Sequence, residues 1–404
     1  YKRQIVFGAG LAGAWTAHAL AERGVEVLLL DSNAIASAGS GNDQGILYTR
    51  LSHRHAPLLD FGLHSYLYAS RRYLALLASN ELQRGIDGDL CGNFHTLKNK
   101  QEKQTLAKAL AGLKELAELM DEVQASAKLG ISVANGGYWL PASGWMHPQA
   151  VCRALLGRQD NIRLMEHCGQ LSLQREGDQW LAIDASGNSL ANAPCAVIAA
   201  GVGTTALEQT SWLPLRAIRG QTTQIPATTD SALLSAALCH EGYIAPARNG
   251  QHCIGASFNL ENDSTDLDPS DHRENLHKLA RAIPSWDSHL TTMDPGVLGG
   301  RVGFRSASPD YLPAIGPVPD RQAFLQIYAG LRDNARQVIE QRGSYLPGLY
   351  VSAGHGSRGL TSTPMAAELL ASMICAESPP LERHLIRAVS PARFIIRDIM
   401  RKRV

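Results

Sequence analysis

The hydrophobic pattern at the start of the chain predicts a strand, a tight turn and a helix in direct succession. Residues 5–7 are apolar and lead into GAGLAG at residues 8–13, and a second apolar run at residues 25–30 ends in Asp31. This order is typical of a βαβ unit that binds a dinucleotide, in which glycines admit the pyrophosphate and the acidic side chain accepts ribose hydroxyls. The candidate nucleotide-binding residues are Gly8, Gly10, Leu11, Ala12, Gly13, Asp31 and Ser32.

The rest of the chain alternates between helical and strand periodicities. Helical spacing predicts amphipathic helices at residues 57–83 and 100–129. Further helices are expected at residues 148–156, 272–282 and 363–374. Apolar or alternating runs predict strands at residues 90–97, 162–168, 169–175, 180–184, 195–201, 221–225, 243–246, 252–258 and 348–354. The pattern therefore predicts an α/β chain in which a nucleotide-binding domain, built from distant segments, is interrupted by a domain with an antiparallel sheet.

Composition narrows the class of protein. The 404 residues, 45% of them hydrophobic, are enough for two or three domains, and a net charge of +1 argues against a uniformly basic nucleic-acid binder. Seven scattered cysteines without a C-x-x-C pair indicate reduced thiols, and no apolar run reaches the roughly 18 residues that span a bilayer. We therefore expect a soluble cytoplasmic protein. His53, His55 and His64 are expected to be solvated, and we predict no metal site.

Two further loops of small residues offer many backbone donors. One comprises Ser40, Gly41, Asn42, Gln44 and Gly45, and the other, called the distal turn below, comprises Gly354, His355, Gly356, Ser357, Arg358 and Gly359 ahead of a predicted helix. Gly201 ends another apolar strand, where either a nucleotide-facing turn or a structural turn is consistent with the residues.

These motifs together resemble a known family. The resemblance rests on GAGLAG with Asp31, SGNDQGILY at residues 40–48, Gly144-Trp145, RGQ at 219–221, RVGFR at 301–305 with SPDYLP at 308–313, and GHGSRGL at 354–360. They resemble the glycine oxidase and D-amino-acid oxidase superfamily of flavoenzymes. More narrowly, they are similar to the FAD-dependent oxidoreductase half of the bifunctional bacterial enzymes that synthesise 5-methylaminomethyl-2-thiouridine in tRNA. The resemblance covers nearly the whole chain.

The resemblance implies FAD and a division into domains. A Rossmann-like FAD-binding domain is expected at residues 1–85, 142–218 and 340–385, and an α+β substrate domain with a mostly antiparallel sheet at 86–141 and 219–339. A basic C-terminal helix is expected at 386–404. Some members of the superfamily bind flavin through a cysteine in the segment corresponding to residues 300–316, and because this segment contains none, non-covalent FAD is expected.

The resemblance also implies a reaction. Its substrate is the 5-carboxymethylaminomethyl group of a wobble uridine in tRNA, from which oxidation and hydrolysis release glyoxylate and leave an aminomethyl group. The similar enzymes carry a methyltransferase half on the N-terminal side. That domain is an expected partner if this chain is part of a bifunctional protein, and the final methylation is not assigned to these 404 residues.

Three side chains are candidates for contact with substrate. Arg301 lies in an R-x-G segment matching the arginine that holds the substrate carboxylate in the superfamily, and Arg305 shares its face if the strand is regular. Arg305 either helps Arg301 to bind the substrate carboxylate or binds a phosphate. Tyr243 either caps the pocket or packs in the sheet. We expect the distal turn to bind the flavin ring, with His355 positioning the backbone in preference to acting as a base.

The basic C-terminal segment and the reaction class leave alternatives open. Arg393, Arg397 and Arg401 are spaced by four, so they line one helix face that suits RNA phosphates or faces solvent, two readings of equal weight. An FAD-dependent oxidase of a free small amino acid or secondary amine, of the glycine or sarcosine type, would share every cofactor residue. A non-catalytic module binding NAD(P) or flavin is the other alternative.

Overall fold

The computed structural model describes residues 3–97, 99–157 and 159–404, and their contacts divide the chain into two compact units. Unit 1 comprises the described residues of Tyr1–Gly39, Leu155–Ala217 and Arg305–Val404, and unit 2 those of Ser40–Ala154 and Ile218–Phe304. Each unit is therefore assembled from distant segments. The discontinuous α/β architecture predicted from the sequence is confirmed.

The strands and helices are numbered in chain order. The strands are β1 (Arg3–Phe7), β2 (Glu26–Leu30), β3 (Gly45–Leu47), β4 (Gly88–Asp89), β5 (Asn93–Thr96), β6 (Glu118–Met120), β7 (Gly137–Leu140), β8 (Gly144–Met146), β9 (Ile162–Met165), β10 (Ser172–Glu176), β11 (Gln179–Ile183), β12 (Ser189–Ala193), β13 (Cys195–Ile198), β14 (Arg216–Pro226), β15 (Ala237–Cys239), β16 (Tyr243–Ile244), β17 (Gln251–Gly255), β18 (Gly300–Ala307), β19 (Ala314–Pro319) and β20 (Tyr345–Ala353). The helices are α1 (Leu11–Ala21), α2 (Pro57–Ala78), α3 (Lys100–Ala109), α4 (Glu122–Leu129), α5 (Pro148–Gly157), α6 (Pro269–Ala282), α7 (Asp287–Thr291), α8 (Arg321–Ile327), α9 (Gly359–Ile374), α10 (Arg383–Val389) and α11 (Ala392–Met400). None of the helices in the described ranges is both long and apolar enough to cross a membrane.

Unit 1 is organised around a six-stranded sheet in the order β19-β20-β13-β1-β2-β9. Its strands are parallel except for β19, which pairs antiparallel with β20. β13 is buried throughout and β1 from Gln4 onward, as expected for central parallel strands, and Gln4 is the one polar side chain among these buried positions. Unit 1 also contains a smaller antiparallel sheet in the order β10-β11-β12. The parallel strands direct their carboxyl ends to one edge, where nucleotides bind in such sheets.

Unit 2 contains an eight-stranded sheet in the order β18-β14-β17-β16-β15-β5-β7-β6, and a small sheet in the order β3-β8-β4. The described pairings of the large sheet are antiparallel apart from β15 with β5. Phe94, Leu238 and Ile254 of this sheet form a core with Leu276 and Leu279 of α6. The mostly antiparallel sheet predicted for the second domain is therefore present.

The boundaries of the units differ from those expected for the domains. Residues 40–85 and 142–154 belong to unit 2, where β3 pairs with β8, and residues 305–339 belong to unit 1, where β19 pairs with β20. Strand pairing between residues distant in the chain determines which unit each segment belongs to. Such pairing is not visible in the local motifs on which the resemblance and its expected boundaries rest.

Two predicted helices are interrupted. The helix predicted at 100–129 is α3 and α4 with β6 between them: Gly112 has a φ of +83°, and a capping box of Asp121 and Gln124 begins α4. The C-terminal helix predicted at 386–404 is α10 and α11. They separate at Ser390-Pro391, because proline disfavours helical backbone in the residue before it.

Candidate functional site

The turn between β1 and α1 explains two of the glycines in the opening motif. Gly8 has a φ of +98°, and a Cβ there would lie 2.5 Å from the carbonyl oxygen of Ala199. A Cβ on Gly13 would overlap the carbonyl oxygen of Gly8, so α1 could not approach the turn. Gly10 is the N-cap of α1 and, as a glycine, has no side chain with which to cap this helix. The amide dipoles of its first turn are thus suited to an anion such as a pyrophosphate.

Asp31 lies at the end of β2, beside this turn. One carboxylate oxygen accepts the amide of Ala9 at 2.6 Å and the other that of Asn33 at 2.8 Å. These bonds fix the carboxylate next to the glycine turn and leave lone pairs for further donors, because a carboxylate has about four acceptor positions. Ser32, the next residue, is exposed. Their contact with a ribose stays a prediction.

The distal turn connects β20 to α9 in the same unit. Gly354 and Gly356 have φ values of +77° and +58°, and the amide of Gly356 donates to the carbonyl oxygen of Ser306 at 2.7 Å. His355 lies between them, with Nε2 3.1 Å from the hydroxyl of Ser352 and Nδ1 2.8 Å from that of Ser362. Burial of the ring lowers the pKa of His355 to about 4, so it is neutral at pH 7. Two hydroxyl partners and a neutral ring support a positioning role.

The other candidate cofactor residues of unit 1 lie in turns at the same edge of the six-stranded sheet. Gly201, with a φ of +56°, begins a 3-10 helix after β13, and Gly359 begins α9. Ser357 is exposed and Arg358 is half-buried. Since β1, β2, β13 and β20 are parallel neighbours, the turns after all four lie at one edge of the sheet of unit 1. The structure thus brings together the nucleotide-binding and distal-turn residues that the sequence predicted.

Unit 2 contains Arg301 and the loop of residues 40–45. Arg301 is half-buried in β18, and Nη1 donates to the side-chain oxygen of Asn42 at 3.3 Å. The guanidinium lies against Gly41, where a Cβ would be 2.6 Å from its Cζ, and a Cβ on Gly303 would be 2.9 Å from Nη1. Burial lowers the pKa of Arg301, but a guanidinium remains protonated at neutral pH. The predicted carboxylate-binding residue and the predicted cofactor loop are therefore neighbours.

A second arginine, Arg248, holds this loop, and no motif in the sequence indicated it. Arg248 forms an ion pair with Asp43, donates through Nε to the carbonyl oxygen of Ile86 at 2.7 Å, and lies 3.5 Å from Nδ1 of His147. Burial, and next the charge of Arg248, lower the pKa of His147. Asp43 and Arg248 are 205 positions apart, so no local spacing could have paired them.

Tyr243 also contacts the loop. Its hydroxyl donates to the backbone carbonyl oxygen of Gln44 at 3.1 Å, and its ring packs with Ile46 and Trp145. The side-chain amide of Gln44 donates to the carbonyl oxygen of Pro246 at 3.0 Å. These contacts support the packing interpretation of Tyr243 over the catalytic one. Arg305 lies in β18 as expected, within the part of this strand assigned to unit 1.

The predicted basic stripe at the C-terminus requires correction. Arg393 and Arg397 form ion pairs with Asp310 at 3.0 Å and 3.4 Å, so neither arginine is the solvent-facing charge that the spacing suggested. Arg401 alone of the three is exposed. In the described ranges, no group of three His, Cys, Asp or Glu side chains is arranged to hold a metal ion, and all seven cysteines carry free thiols.

Comparison with known proteins identifies the family. The family of FAD-dependent oxidoreductases designated DAO matches residues 3–373. This chain belongs to that family. The predicted FAD cofactor and oxidoreductase class are thereby confirmed, and the N-terminus of α1, the glycine turns and Asp31 form a cradle that fits a dinucleotide.

The relatives of this oxidoreductase are tRNA-modification proteins by name. It is 42% identical over 406 residues to the tRNA 5-methylaminomethyl-2-thiouridine biosynthesis bifunctional protein MnmC of Pseudomonas savastanoi pv. phaseolicola, covering 99% of this chain and 60% of that protein. It is 40% identical over 404 residues to the protein of the same name from Pseudomonas fluorescens, with coverages of 99% and 60%. The chain thus spans about 60% of the length of these curated relatives.

Solved structures show the same fold at lower identity. The glycine oxidase of Geobacillus kaustophilus superposes with a TM-score of 0.75 at 19% identity, covering 97% of this chain and 99% of that chain. The iminodiacetate oxidase of Chelativorans sp. BNC1 gives a TM-score of 0.74 at 16% identity, with coverages of 96% and 99%. These similarities establish the oxidase fold for the FAD-dependent chain.

Proposed function

We propose that this FAD-dependent oxidoreductase removes the carboxymethyl arm from 5-carboxymethylaminomethyl-(2-thio)uridine at the wobble position of tRNA. The products are 5-aminomethyl-(2-thio)uridine and glyoxylate. The observation that carries the proposal is the guanidinium of Arg301, held beside Gly41 and Asn42 of the predicted cofactor loop. The names of the relatives support tRNA as the carrier of the arm.

Arg301 is suited to the carboxylate of the arm. A planar guanidinium binds a carboxylate through two parallel hydrogen bonds, each worth about 1.5–3 kcal/mol when charged groups are involved. Its bond to Asn42 fixes the orientation of the fork. Arg305, in the same strand, is proposed either to assist or to meet phosphate.

The other residues of the proposed site hold the cofactor. The chemistry that FAD would supply when bound is acceptance of a hydride from the methylene carbon of the arm. Loss of that hydride and of the amine proton leaves an imine on the substrate, and water cleaves it to the primary amine and glyoxylate. The glycine turn and Asp31 would hold the adenosine diphosphate portion of the cofactor, and the distal turn its ring. His355, neutral and bonded to two hydroxyls, keeps the distal turn in position.

The decisive experiment is mass analysis of the wobble uridine in tRNA incubated with the FAD-loaded protein. We expect the mass of the carboxymethyl group to be lost from that nucleoside and glyoxylate to appear in equal amount. The control is the same tRNA with protein lacking FAD. Turnover of free glycine or sarcosine, with the tRNA left unchanged, would instead establish an oxidase of small amines. Failure to take up FAD would establish a module of another class.

A further inference from the structure

Tyr311 is an exposed aromatic residue in an unusual backbone conformation. It lies in the turn of residues 308–312 between β18 and β19, with 61% of its surface exposed and a φ of +59°. A bulky residue with positive φ carries a conformational cost, and such residues concentrate at functional sites. Neither burial of the ring nor freedom of the backbone accounts for a tyrosine at this position.

The turn that carries Tyr311 is rigidly anchored. Arg393 of α11 binds both carboxylate oxygens of Asp310 at 3.0 Å and also donates to the carbonyl oxygen of Leu312 at 2.7 Å. The hydroxyl of Ser308 donates to the same carbonyl at 2.6 Å. Burial acts to raise the pKa of Asp310, but hydrogen bonding to Arg393 outweighs it and lowers the pKa. Tyr311 is thus presented to solvent from a turn fixed on both sides.

This turn adjoins the predicted flavin-binding turn of the same unit. A Cβ on Gly354 would lie 3.7 Å from the amide nitrogen of Ser308, and the amide of Gly356 bonds to Ser306. An extended or looped substrate that reaches the distal turn therefore passes close to Tyr311.

The helix that anchors the turn continues into a concentrated positive charge. Arg393, Arg397 and Arg401 share one face of α11, and Arg401 is one helical turn, roughly 5.4 Å, beyond the last contact with Asp310. Residues 390–404 contain five Arg or Lys and one Asp, whereas the whole chain has a net charge of +1. Arg393 and Arg397 are paired with Asp310, and Arg403 lies 3.9 Å from Asp398. Arg401, Lys402 and Arg403 are all exposed.

We propose that the turn of residues 308–312 and the end of α11 form an RNA-binding surface, in which Tyr311 stacks on an unpaired base and Arg401 to Arg403 bind backbone phosphates. Single-stranded loops are recognised by this combination, since aromatic faces stack on splayed bases and cations neutralise phosphates. The assignment of the RNA as an anticodon loop rests on the proposed function. The RNA-binding surface itself does not depend on it.

The test of Tyr311 measures binding of an anticodon stem-loop RNA to FAD-loaded protein. Tyr311→Asn tolerates positive φ but lacks the ring, and we expect it to raise the Kd by roughly 5- to 100-fold. Tyr311→Phe keeps the aromatic face and should remain within about threefold of the wild type. The thermal midpoint of Tyr311→Asn should equal or exceed that of the wild type, which separates lost contact from lost folding.

The test of the basic end compares two charge reversals in unit 1. Arg401→Glu should weaken RNA binding and reduce the slope of log K against log salt by about 1 or more. Arg163→Glu is the matched control, because Arg163 is exposed in β9, at the edge of the six-stranded sheet opposite to β19. It should leave both quantities unchanged.

The outcomes separate this inference from the proposed function. Oxidation of the free modified nucleoside should be the same in Tyr311→Asn as in the wild type, whereas KM for tRNA should rise with Kd. If wild-type protein binds the RNA but leaves the arm intact, the proposed reaction fails and the surface stands. If wild-type protein does not bind the RNA, or if Tyr311→Asn and Arg401→Glu bind it as the wild type does, the surface is refuted.

Discussion

In unit 1 the candidate cofactor residues are backbone turns at the ends of neighbouring strands, whereas in unit 2 the candidate substrate residue is a long side chain held by a loop. The turn of residues 8–13 forms within one short segment, and Gly8 and Gly13 are needed because backbone atoms occupy the space of a side chain. Arg301 is held by Asn42, 259 positions away. The two regions should therefore fail differently: substitution of Gly8 or Gly13 removes the cofactor, and substitution of Arg301 removes catalysis while the cofactor remains.

The largest effect is expected from Gly13→Ala. The new Cβ would overlap the carbonyl oxygen of Gly8, so α1 or the turn must move, at a cost on the order of 4 kcal/mol or more. We expect loss of flavin absorbance and a fall in the thermal midpoint. Gly157→Ala is the matched control, because a Cβ there meets nothing within 4 Å. Retention of FAD by Gly13→Ala at wild-type stability would contradict this account of the turn.

The same contrast explains what the sequence could predict. The order of β1, α1 and β2, the glycine motif and Asp31 are adjacent in the chain, and the structure contains them as predicted. The pairing of β19 with β20, which places residues 305–339 in unit 1, depends on register between distant segments. Periodicity reports which face of an element is apolar, but it does not report which element will cover that face.

The site shows the same limit in its side chains. Arg301 was identified through resemblance of its R-x-G segment, but its contacts with Gly41 and Asn42 were not predicted. The ion pair of Asp43 with Arg248 gave no sequence signal at all. At the C-terminus, the spacing by four residues correctly predicted that Arg393 and Arg397 share one helix face. Both arginines form ion pairs with Asp310, which the spacing did not predict. The spacing of charged residues shows which of them share a helix face, but it does not show what packs against that face.

The second prediction tests Arg301, the candidate substrate residue of unit 2. Arg301→Ala removes the charged fork and should lower kcat/KM by roughly 100-fold or more, because one or two charge-assisted hydrogen bonds to the substrate are lost. The flavin spectrum and the Kd for FAD should stay at wild-type values. Oxidation of modified tRNA is the measurement.

Arg301→Lys sharpens this test. A lysine keeps the positive charge but not the planar fork, so it should recover only part of the lost activity. Processing of tRNA at the wild-type rate by Arg301→Ala would refute the role of Arg301 in binding the carboxylate. Loss of FAD from the same variant would contradict the claim that Arg301 acts on the substrate and not on the cofactor.

A smaller effect is expected at His355, where the distal turn of unit 1 relies on a side chain. Burial lowers the pKa of His355 to about 4 from an ordinary value of 6.5. As the pH falls from about 6.5 to about 4, the unfolded chain therefore binds a proton that the folded chain does not, and stability is lost over that window. His355→Gln should show a shallower loss of stability between those pH values.

Urea unfolding at several pH values measures this difference. Because burial also lowers the pKa of His95 and His240 in unit 2 to about 4, part of the acid sensitivity will remain in the variant. Above pH 5 the profile of kcat/KM should contain no step that disappears with His355→Gln. Such a step would make His355 an acid or base in the reaction and would end the positioning interpretation.

The smallest effect is expected from Tyr243→Phe. The substitution removes the hydroxyl, which donates to the carbonyl oxygen of Gln44 at 3.1 Å and lies 3.6 Å from Sγ of Cys253. It leaves the ring packed against the cluster that contains Ile46 and Trp145. Stability should fall by about 1 kcal/mol, and kcat/KM should stay within about threefold of the wild type, because the hydroxyl supports the loop and takes no proton from the substrate. A fall comparable to that of Arg301→Ala, with FAD retained, would instead place the Tyr243 hydroxyl in the reaction. Catalysis in unit 2 would then depend on two side chains brought together by the same loop.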